Sequence, residues 1–144
     1  MVDKICELPS GYKPSENEKF MNDFQREYFR RKLVHWREKL AQNAEDVVEY
    51  LQQEDMTFTD IADRATSEED LRYELRSKER AAKLINKIDE ALARIQDKTY
   101  GYCAETGEPI SLQRLEARPV ATLSIEAQKR HEQQEKFGKI AKNG

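Results

Sequence analysis

The sequence is poor in the residues that build disulfide-rich, loop-rich or membrane-spanning proteins. Its 144 residues include only 2 Cys, 5 Gly and 4 Pro. The two cysteines, Cys6 and Cys103, lie far apart in the chain, which argues against a structural disulfide. No apolar run approaches the ~18 residues that a membrane-spanning helix needs, and the opening Met-Val-Asp-Lys is not that of a signal peptide. We therefore expect a cytoplasmic protein with no membrane-spanning segment.

Charge and hydrophobicity indicate exposed helices with narrow apolar seams. Charged residues make up 37% of the chain and hydrophobic residues 38%, a balance that suits such helices better than a thick two-layer core. The net charge of -3 argues against a general DNA-binding surface, which normally carries a basic excess. The basic residues are clustered locally, however, so binding of small anions stays open.

Two long heptad patterns predict two helices. The first begins near Asn22, where Gln25 has the spacing of a capping box. The second begins at Thr66 or Ser67, with acidic residues placed for capping. Apolar residues at alternating steps of three and four form a coiled-coil seam in each helix. The first seam comprises Phe29, Leu33, Trp36, Leu40, Ala44, Val47 and Leu51, and the second Leu71, Leu75, Lys78, Ala82, Ile85, Ile88, Leu92 and Ile95.

These patterns divide the chain into three parts and predict a mainly α fold. Residues 1–21 form an extended, weakly structured arm, and residues 22–98 form a long antiparallel coiled-coil hairpin with its tip at 55–66. Residues 99–144 form a small module. Within it, the alternation from Ile110 to Leu115 predicts a short strand, and Ser124 is a plausible N-cap for a last helix that extends to about Ile140.

The tip carries two carboxylates, Asp60 and Asp63, about one helical turn apart. At the end of a long rod, such a pair can reach a site that a globular protein cannot enter. Aspartate is also an ordinary residue at turns and helix starts. This stretch taken alone therefore leaves a structural role open beside a functional one.

Several segments of the chain resemble the DksA family of bacterial transcription factors. The tip sequence Asp60-Ile-Ala-Asp63-Arg-Ala65 lies between two heptad helices, as it does in that family. A second specific match is the ungapped run Arg114-Leu-Glu-Ala-Arg-Pro119. The remaining matches are Phe29-Arg-Arg, Glu74-Leu-Arg76, Lys83-Leu-Ile and Tyr100-Gly-Tyr-Cys103.

The resemblance implies a regulator of transcription initiation and not an enzyme. Members of the family insert the coiled coil into the secondary channel of RNA polymerase, so that the tip, here Asp60, Asp63 and Ala65, comes near the catalytic centre. They act with guanosine tetraphosphate (ppGpp) to change the stability of promoter open complexes in the stringent response, repressing ribosomal RNA promoters. The expected partners are bacterial RNA polymerase and ppGpp. We expect a monomer without direct sequence-specific DNA binding.

The resemblance also implies a degenerate zinc-finger-like module. The family's four zinc-binding cysteines correspond here to Cys103, Thr106, Ser124 and Ala127, and only the first can supply a thiolate. Because tetrahedral structural zinc needs four strong ligands, we expect no zinc and no other cofactor. A small apolar core should replace the metal, with Tyr100, Tyr102, Ile110, Leu112, Leu115, Val120, Leu123 and Ile125 as its candidates.

A basic face on the second helix is the candidate nucleotide site. Arg80, Lys83, Leu84 and Lys87 recur at steps of three and four, which places them on one face, away from the seam. A solvated surface would show the same pattern. In the family, the positions of Leu84, Lys87 and Arg118 contribute to a ppGpp site, and a further family lysine corresponds to Gln128 here. Arg80, Lys83 and Lys129, which follows Gln128, are additional basic candidates.

Two other functions fit parts of the sequence. A Gre-type transcript-cleavage factor would use the same channel, with tip carboxylates that help to hold a catalytic Mg²⁺. Such factors have a β-rich second domain, for which residues 99–144 are too short and too helical. A purely structural coiled coil would leave the tip motif and the Arg114–Pro119 match without explanation.

Overall fold

The computed structural model describes residues 3–53 and 64–143, with the side chains of residues 3–43 and 68–138. This part of the chain is mainly helical and contains no β-strand. Its helices are α1 (Asp23–Gln53), α2 (Arg64–Asp97), α3 (Leu112–Ala117) and α4 (Ile125–Asn143). An isolated β-bridge joins Tyr102 to Pro109. None of the described helices is long and apolar enough to cross a membrane.

The chain divides into two compact units. Unit 1 consists of Met1–Lys32 and Ala91–Gly144, and unit 2 consists of Leu33–Glu90. Each unit contains a part of α1 and a part of α2. In unit 1 the Arg26 side chain, from the first turn of α1, reaches the backbone of Ile95 in the last turn of α2. In unit 2, Arg37 of α1 pairs with Asp89 of α2 at 2.7 Å. The two long helices therefore pair as an antiparallel coiled coil.

The predicted cap at the start of α1 is confirmed. The side-chain oxygen of Asn22 accepts a hydrogen bond from the Gln25 backbone N–H at 2.9 Å. In return, the Gln25 side chain accepts one from the Met21 backbone N–H at 2.8 Å. The first bond satisfies an N–H group that the first turn of a helix leaves without a partner, and the second holds the residue that precedes the cap.

Helix α2 differs from the predicted one in its start and in its register. It begins at Arg64, two residues before the predicted start, because Arg64 and Ala65 are themselves good helix formers. The predicted seam residues Ile88, Leu92 and Ile95 are buried, but Leu75 is 46% exposed. Leu71, Lys78 and Ile85 are half-buried, as predicted for seam positions. Glu74 and Ala81 are half-buried in place of Leu75 and of Ala82, which is exposed. The true seam thus keeps strict steps of three and four and includes Glu74.

The N-terminal arm has no regular secondary structure, yet it contacts α1 at several points. The backbone N–H of Ile5 donates to the buried carboxylate of Glu27 at 3.2 Å. The ring of Tyr12 lies 5.8 Å from that of Phe24 and 6.2 Å from that of Tyr28. The prediction of a weakly structured arm overlooked these contacts, which fix residues 5 and 12 against the first helix.

The module contains a short helix where the sequence predicted a strand. Residue Ser111 caps α3, since its hydroxyl accepts from the Arg114 N–H at 3.2 Å. Leu112 and Leu115, one helical turn apart, are both buried. The strand prediction for Ile110–Leu115 was wrong because Leu112 and Leu115 are three residues apart, a spacing that places both on one face of a helix but on opposite faces of a strand. With α3, α4 and one bridge among the described residues, the module is not the β-rich domain of a Gre-type factor.

The predicted module core is largely confirmed. Tyr100, Ile110, Leu112, Leu115 and Val120 are buried. The prediction was wrong for Tyr102 and Ile125, which are 39% and 49% exposed. Leu123 is half-buried. Small side chains take their place, since Cys103, Ala121 and Ala127 are buried as well.

Candidate functional site

The basic face of α2 lies in unit 2 and is open to solvent. Arg80, Lys83 and Lys87 are all exposed, because they lie on the side of the helix opposite its seam. Lys83 has a loose pair with Glu79 at 3.9 Å, which contributes little at the surface. Lys87 has no ion pair or hydrogen bond within the described part of the chain. These ammonium and guanidinium groups are available to an anion.

Leu84 is placed differently from the prediction. It is half-buried and stands next to the seam position Ile85, so it belongs to the edge of the apolar seam. The prediction that all four residues turn away from the seam was wrong for Leu84. An apolar side chain beside two exposed cations can still contact the flat face of a base or a ribose, while the cations contact phosphates.

Arg118 lies in unit 1, at the end of α3. Its backbone N–H donates to the carbonyl of Arg114 at 2.7 Å, which ends the helix. Its side chain is exposed and has no partner among the described residues. Four residues earlier, the Arg114 side chain is bound, since its Nε donates to the carbonyl of Leu123 at 2.8 Å. Of these two arginines, Arg118 is the more exposed, and its guanidinium has no partner among the described residues.

An ion pair in unit 1 joins α1 to α3. The ammonium of Lys32 lies 2.5 Å from a carboxylate oxygen of Glu116. The hydroxyl of Tyr28 also bonds to Glu116, and burial together with this bond raises the pKa of Tyr28 to about 12. Tyr28 therefore remains a neutral donor under ordinary conditions. These contacts give Glu116, a residue of the matching run, a structural role in unit 1.

Cys103 occupies the first of the four degenerate zinc positions and is buried. The Thr106 hydroxyl donates to its sulfur, as do the backbone N–H groups of Ser124, Thr106 and Glu105. The Thr106 bond has the largest effect, and together these donors outweigh burial and lower the pKa of Cys103 to about 6. The turn that supplies them is closed by Gly107, which donates its N–H to the Cys103 carbonyl at 2.9 Å. The sulfur is thus surrounded by hydrogen-bond donors that favour its thiolate form.

The other three positions do not complete a metal site. The hydroxyl of Ser124 accepts from the Ala127 N–H at 3.2 Å and so caps α4. The methyl group of Ala127 is fully buried. His131 bonds to Glu105. No group of three or more potential metal-binding His, Cys, Asp or Glu side chains exists among the described residues. One thiolate, two hydroxyls and a methyl group do not fit tetrahedral zinc.

The structure describes only some of the remaining predicted site residues. Asp60 and Asp63 lie outside the described residues. Ala65 is in the first turn of α2, but its side chain is also outside them. Lys129 is exposed on α4, and the neighbouring Gln128 donates to Glu132 at 3.4 Å. The predicted arrangement of the tip residues therefore stays a prediction.

A feature that sequence reasoning missed is the hydrogen bond between Tyr100 and Pro119. The buried Tyr100 hydroxyl donates to the Pro119 carbonyl at 2.7 Å. The only sequence signal was that both residues belong to matching segments, Tyr100–Cys103 and Arg114–Pro119. Nothing in the sequence indicated that the two segments meet.

The described part of the chain contains a two-helix coiled coil, exposed cations and a cysteine-poor module. These features are those of the coiled-coil transcription factors that the sequence resembles. Residues 25–95 match the family model described as DnaK suppressor protein DksA, N-terminal domain. Residues 98–133 match the prokaryotic dksA/traR C4-type zinc finger. The chain belongs to the DksA family.

Individual relatives are similar over most of their length. The chain is 56% identical over 127 residues to the RNA polymerase-binding transcription factor DksA of Caulobacter vibrioides, covering 88% of this chain and 89% of the relative. Its identity to the factor of the same name from Escherichia coli K12 is 40% over 125 residues, covering 87% and 83%. The structure of transcription factor DksA2 from Pseudomonas aeruginosa is similar with a TM-score of 0.73 and 42% identity, over 81% of this chain and 90% of that one.

Proposed function

We propose that this protein regulates transcription initiation by binding RNA polymerase and is not an enzyme. The observation that carries the proposal is the 56% identity, over nearly the whole length, to a relative named as an RNA polymerase-binding transcription factor. The protein acts in the cytoplasm, as a monomer, and without direct sequence-specific DNA binding. Its net charge of -3 supports the last point, because a DNA-binding surface is usually basic.

The coiled coil enters the secondary channel of the polymerase. Unit 2 supports this proposal, since its described part consists of two paired helices with charged exposed faces and no additional layer. A pair of helices, each about 10–12 Å across with its side chains, suits a narrow channel. The tip residues Asp60, Asp63 and Ala65 act there on polymerase elements near the catalytic centre, a role that rests on the resemblance alone.

The effector is ppGpp, and Leu84, Lys87 and Arg118 contribute to its binding together with the polymerase. The support is chemical. Lys87 and Arg118 carry exposed cationic groups without partners in the described part of the chain, and guanidinium and ammonium groups are the usual phosphate ligands of proteins. Arg80, Lys83 and Lys129 add basic contacts. Gln128, in place of the family's lysine, supplies no charge, so affinity for ppGpp is lower than with a lysine there.

The module folds without zinc. The donors around Cys103 and the buried methyl group of Ala127 support this proposal, because they fill the positions that the family's metal and its ligands occupy. The apolar core of Tyr100, Ile110 and Leu115 supplies the stability that the metal would otherwise provide.

In vitro transcription tests this function. Purified RNA polymerase and a ribosomal RNA promoter are incubated with the protein, with ppGpp, with both and with neither, and the open-complex lifetime is measured. We expect the protein to shorten the lifetime and ppGpp to increase the effect. A transcript-cleavage assay on stalled complexes is run beside it. Cleavage together with an unchanged lifetime would instead support a Gre-type activity.

A further inference from the structure

The main chain around Arg118 is fixed on both sides. The N–H of Arg118 donates to the Arg114 carbonyl at 2.7 Å, and its own carbonyl accepts from the Ala121 N–H at 3.0 Å. Its φ and ψ of -141° and 86° are non-helical, as expected for a residue that precedes proline. The exposed side chain therefore extends from a backbone with little freedom.

Tyr100 supplies the hydrogen bond that holds the next residue. Its hydroxyl is buried and donates to the Pro119 carbonyl at 2.7 Å. Burial raises the pKa of Tyr100 well above its ordinary value, so the hydroxyl remains a donor. The Tyr100 ring packs against Phe29, with 5.6 Å between centroids. Since a buried carbonyl without a partner is costly, Tyr100 and Pro119 are coupled.

An unpartnered guanidinium on a fixed backbone is the arrangement of a preorganised anion ligand. A fixed backbone narrows the region that the Arg118 guanidinium can occupy, and so reduces the entropy that is lost when a ligand binds. Arg114 makes the contrast clear, because it is fixed by the same segment but its Nε is occupied by the Leu123 carbonyl.

We infer that Tyr100 is a positioning residue for ppGpp, which acts by holding Pro119 and, through it, Arg118. The inference rests on the proposed function, in which Arg118 contacts the nucleotide. Tyr100 itself touches no ligand. Its hydroxyl sets how well Arg118 is placed, and hence the concentration at which ppGpp acts.

The test is Tyr100→Phe, which removes the hydroxyl and keeps the ring that contacts Phe29. The ppGpp concentration for half-maximal shortening of open-complex lifetime should rise roughly five-fold, a typical consequence of losing one modest interaction. The effect at saturating ppGpp should approach that of the parent. Tyr102→Phe is the matched control, because Tyr102 is exposed and its hydroxyl makes no hydrogen bond with the described residues. It should leave the half-maximal concentration unchanged.

A double-variant cycle separates positioning from general destabilisation. In an Arg118→Ala background, adding Tyr100→Phe should produce no further change, since the residue that it positions is gone. An equal shift in both backgrounds would overturn the inference. Should Tyr100→Phe fold poorly by thermal unfolding, Pro119→Ala provides the second probe. It keeps the carbonyl but frees the backbone, so the half-maximal concentration should again rise, and an unchanged value would overturn the inference.

The outcomes also distinguish this inference from the proposed function. A parent protein that shortens open-complex lifetime but does not respond to ppGpp overturns the ppGpp proposal and this inference, and leaves polymerase binding standing. A parent that responds, with Tyr100→Phe responding identically, overturns the positioning role alone.

Discussion

The guanidinium of Arg26, in the first turn of α1, caps the C-terminal end of α2. Its Nη2 and Nε donate to the single carbonyl of Ile95, at 2.5 Å and 3.2 Å. Ile95 lies in the last turn of α2, where carbonyl groups have no partner within the helix. The Ile95 carbonyl also accepts from the Lys98 N–H at 3.3 Å. The buried cation adds two donors to this carbonyl and interacts favourably with the negative end of the helix dipole.

Replacing Arg26 should therefore destabilise unit 1. Arg26→Met keeps an unbranched side chain of moderate length but loses both donors to Ile95. We expect a loss of about 2 kcal/mol in the free energy of unfolding, the usual size for a hydrogen bond to a charged group. Urea denaturation at neutral pH measures it.

Arg37→Met is the control for this change on the same helix. Arg37 pairs with Asp89 at the surface, and such pairs contribute at most about 1 kcal/mol. Equal losses for the two variants would show that the Arg26–Ile95 contact has no special weight.

The zinc content of the protein can be measured directly. Purified protein should contain far less than one zinc per chain and keep its helical circular dichroism in a strong chelator, because only Cys103 among the four positions is a zinc ligand. The matched variant carries Thr106→Cys, Ser124→Cys and Ala127→Cys. With four thiols restored, it should bind about one zinc per chain. Stoichiometric zinc in the parent would contradict the proposal.

Stability should rise with pH in a window set by Cys103. Its pKa in the folded protein is about 6, against 9.0 for the free side chain, so between these values the unfolded state binds more protons. Stabilisation by the thiolate is then complete above pH ~9 and is lost as the pH falls through 6. The urea midpoint of the parent should rise between pH 6 and 9.

Cys103→Ser isolates this contribution, since a serine hydroxyl stays neutral. Its urea midpoint should rise less over the same interval, and Cys6→Ser should follow the parent. Parallel curves for the parent and Cys103→Ser would mean that the thiolate is not stabilised in the folded state.

The sequence predicted the period of the helices better than their register. Counting back from Ile95 in steps of three and four gives Glu74, but the prediction chose the apolar Leu75. The prediction gave the apolar identity of Leu75 more weight than the helical period. In the structure, Leu75 is exposed and Glu74 is half-buried. A coiled-coil seam tolerates a polar residue, and an exposed leucine costs little. The pattern alone could not decide between the two.

The module was harder to predict because its contacts join distant segments. Ser124 was correctly identified as an N-cap, a local signal that extends over three residues. The helix after Ser111 was missed, although the Ser111–Arg114 bond is equally local, because a short apolar alternation took precedence. The contact between Tyr100 and Pro119 depends on tertiary folding and has no local signature. The candidate ligands Lys87 and Arg118 came from the resemblance, since periodicity alone describes a solvated surface equally well.

The nucleotide proposal predicts a selective loss of response. Lys87→Ala and Arg118→Ala should each reduce the effect of ppGpp on open-complex lifetime more than the effect of the protein alone. Each removes one charge-assisted contact, worth about 1.5–3 kcal/mol where well formed. Lys136→Ala, at an exposed cation on α4, is the control and should respond like the parent. Unchanged responses to ppGpp in both test variants would show that the basic face is only a solvated surface.

The tip prediction separates binding from regulation. Asp63→Asn removes one charge at nearly constant volume, so folding should be retained, with a cost of at most about 1 kcal/mol if Asp63 caps a helix. Binding to RNA polymerase, measured by competition, should persist because we propose that most contacts lie along the coiled coil and the module. Regulation should fail, because the carboxylate of Asp63 is the group that we propose to act near the catalytic centre. Asp60→Asn is measured in parallel, and Asp70→Asn, an exposed position on α2, is the matched control and should regulate normally. If Asp63→Asn binds and shortens the open-complex lifetime as the parent does, the acidic tip serves only to form the turn.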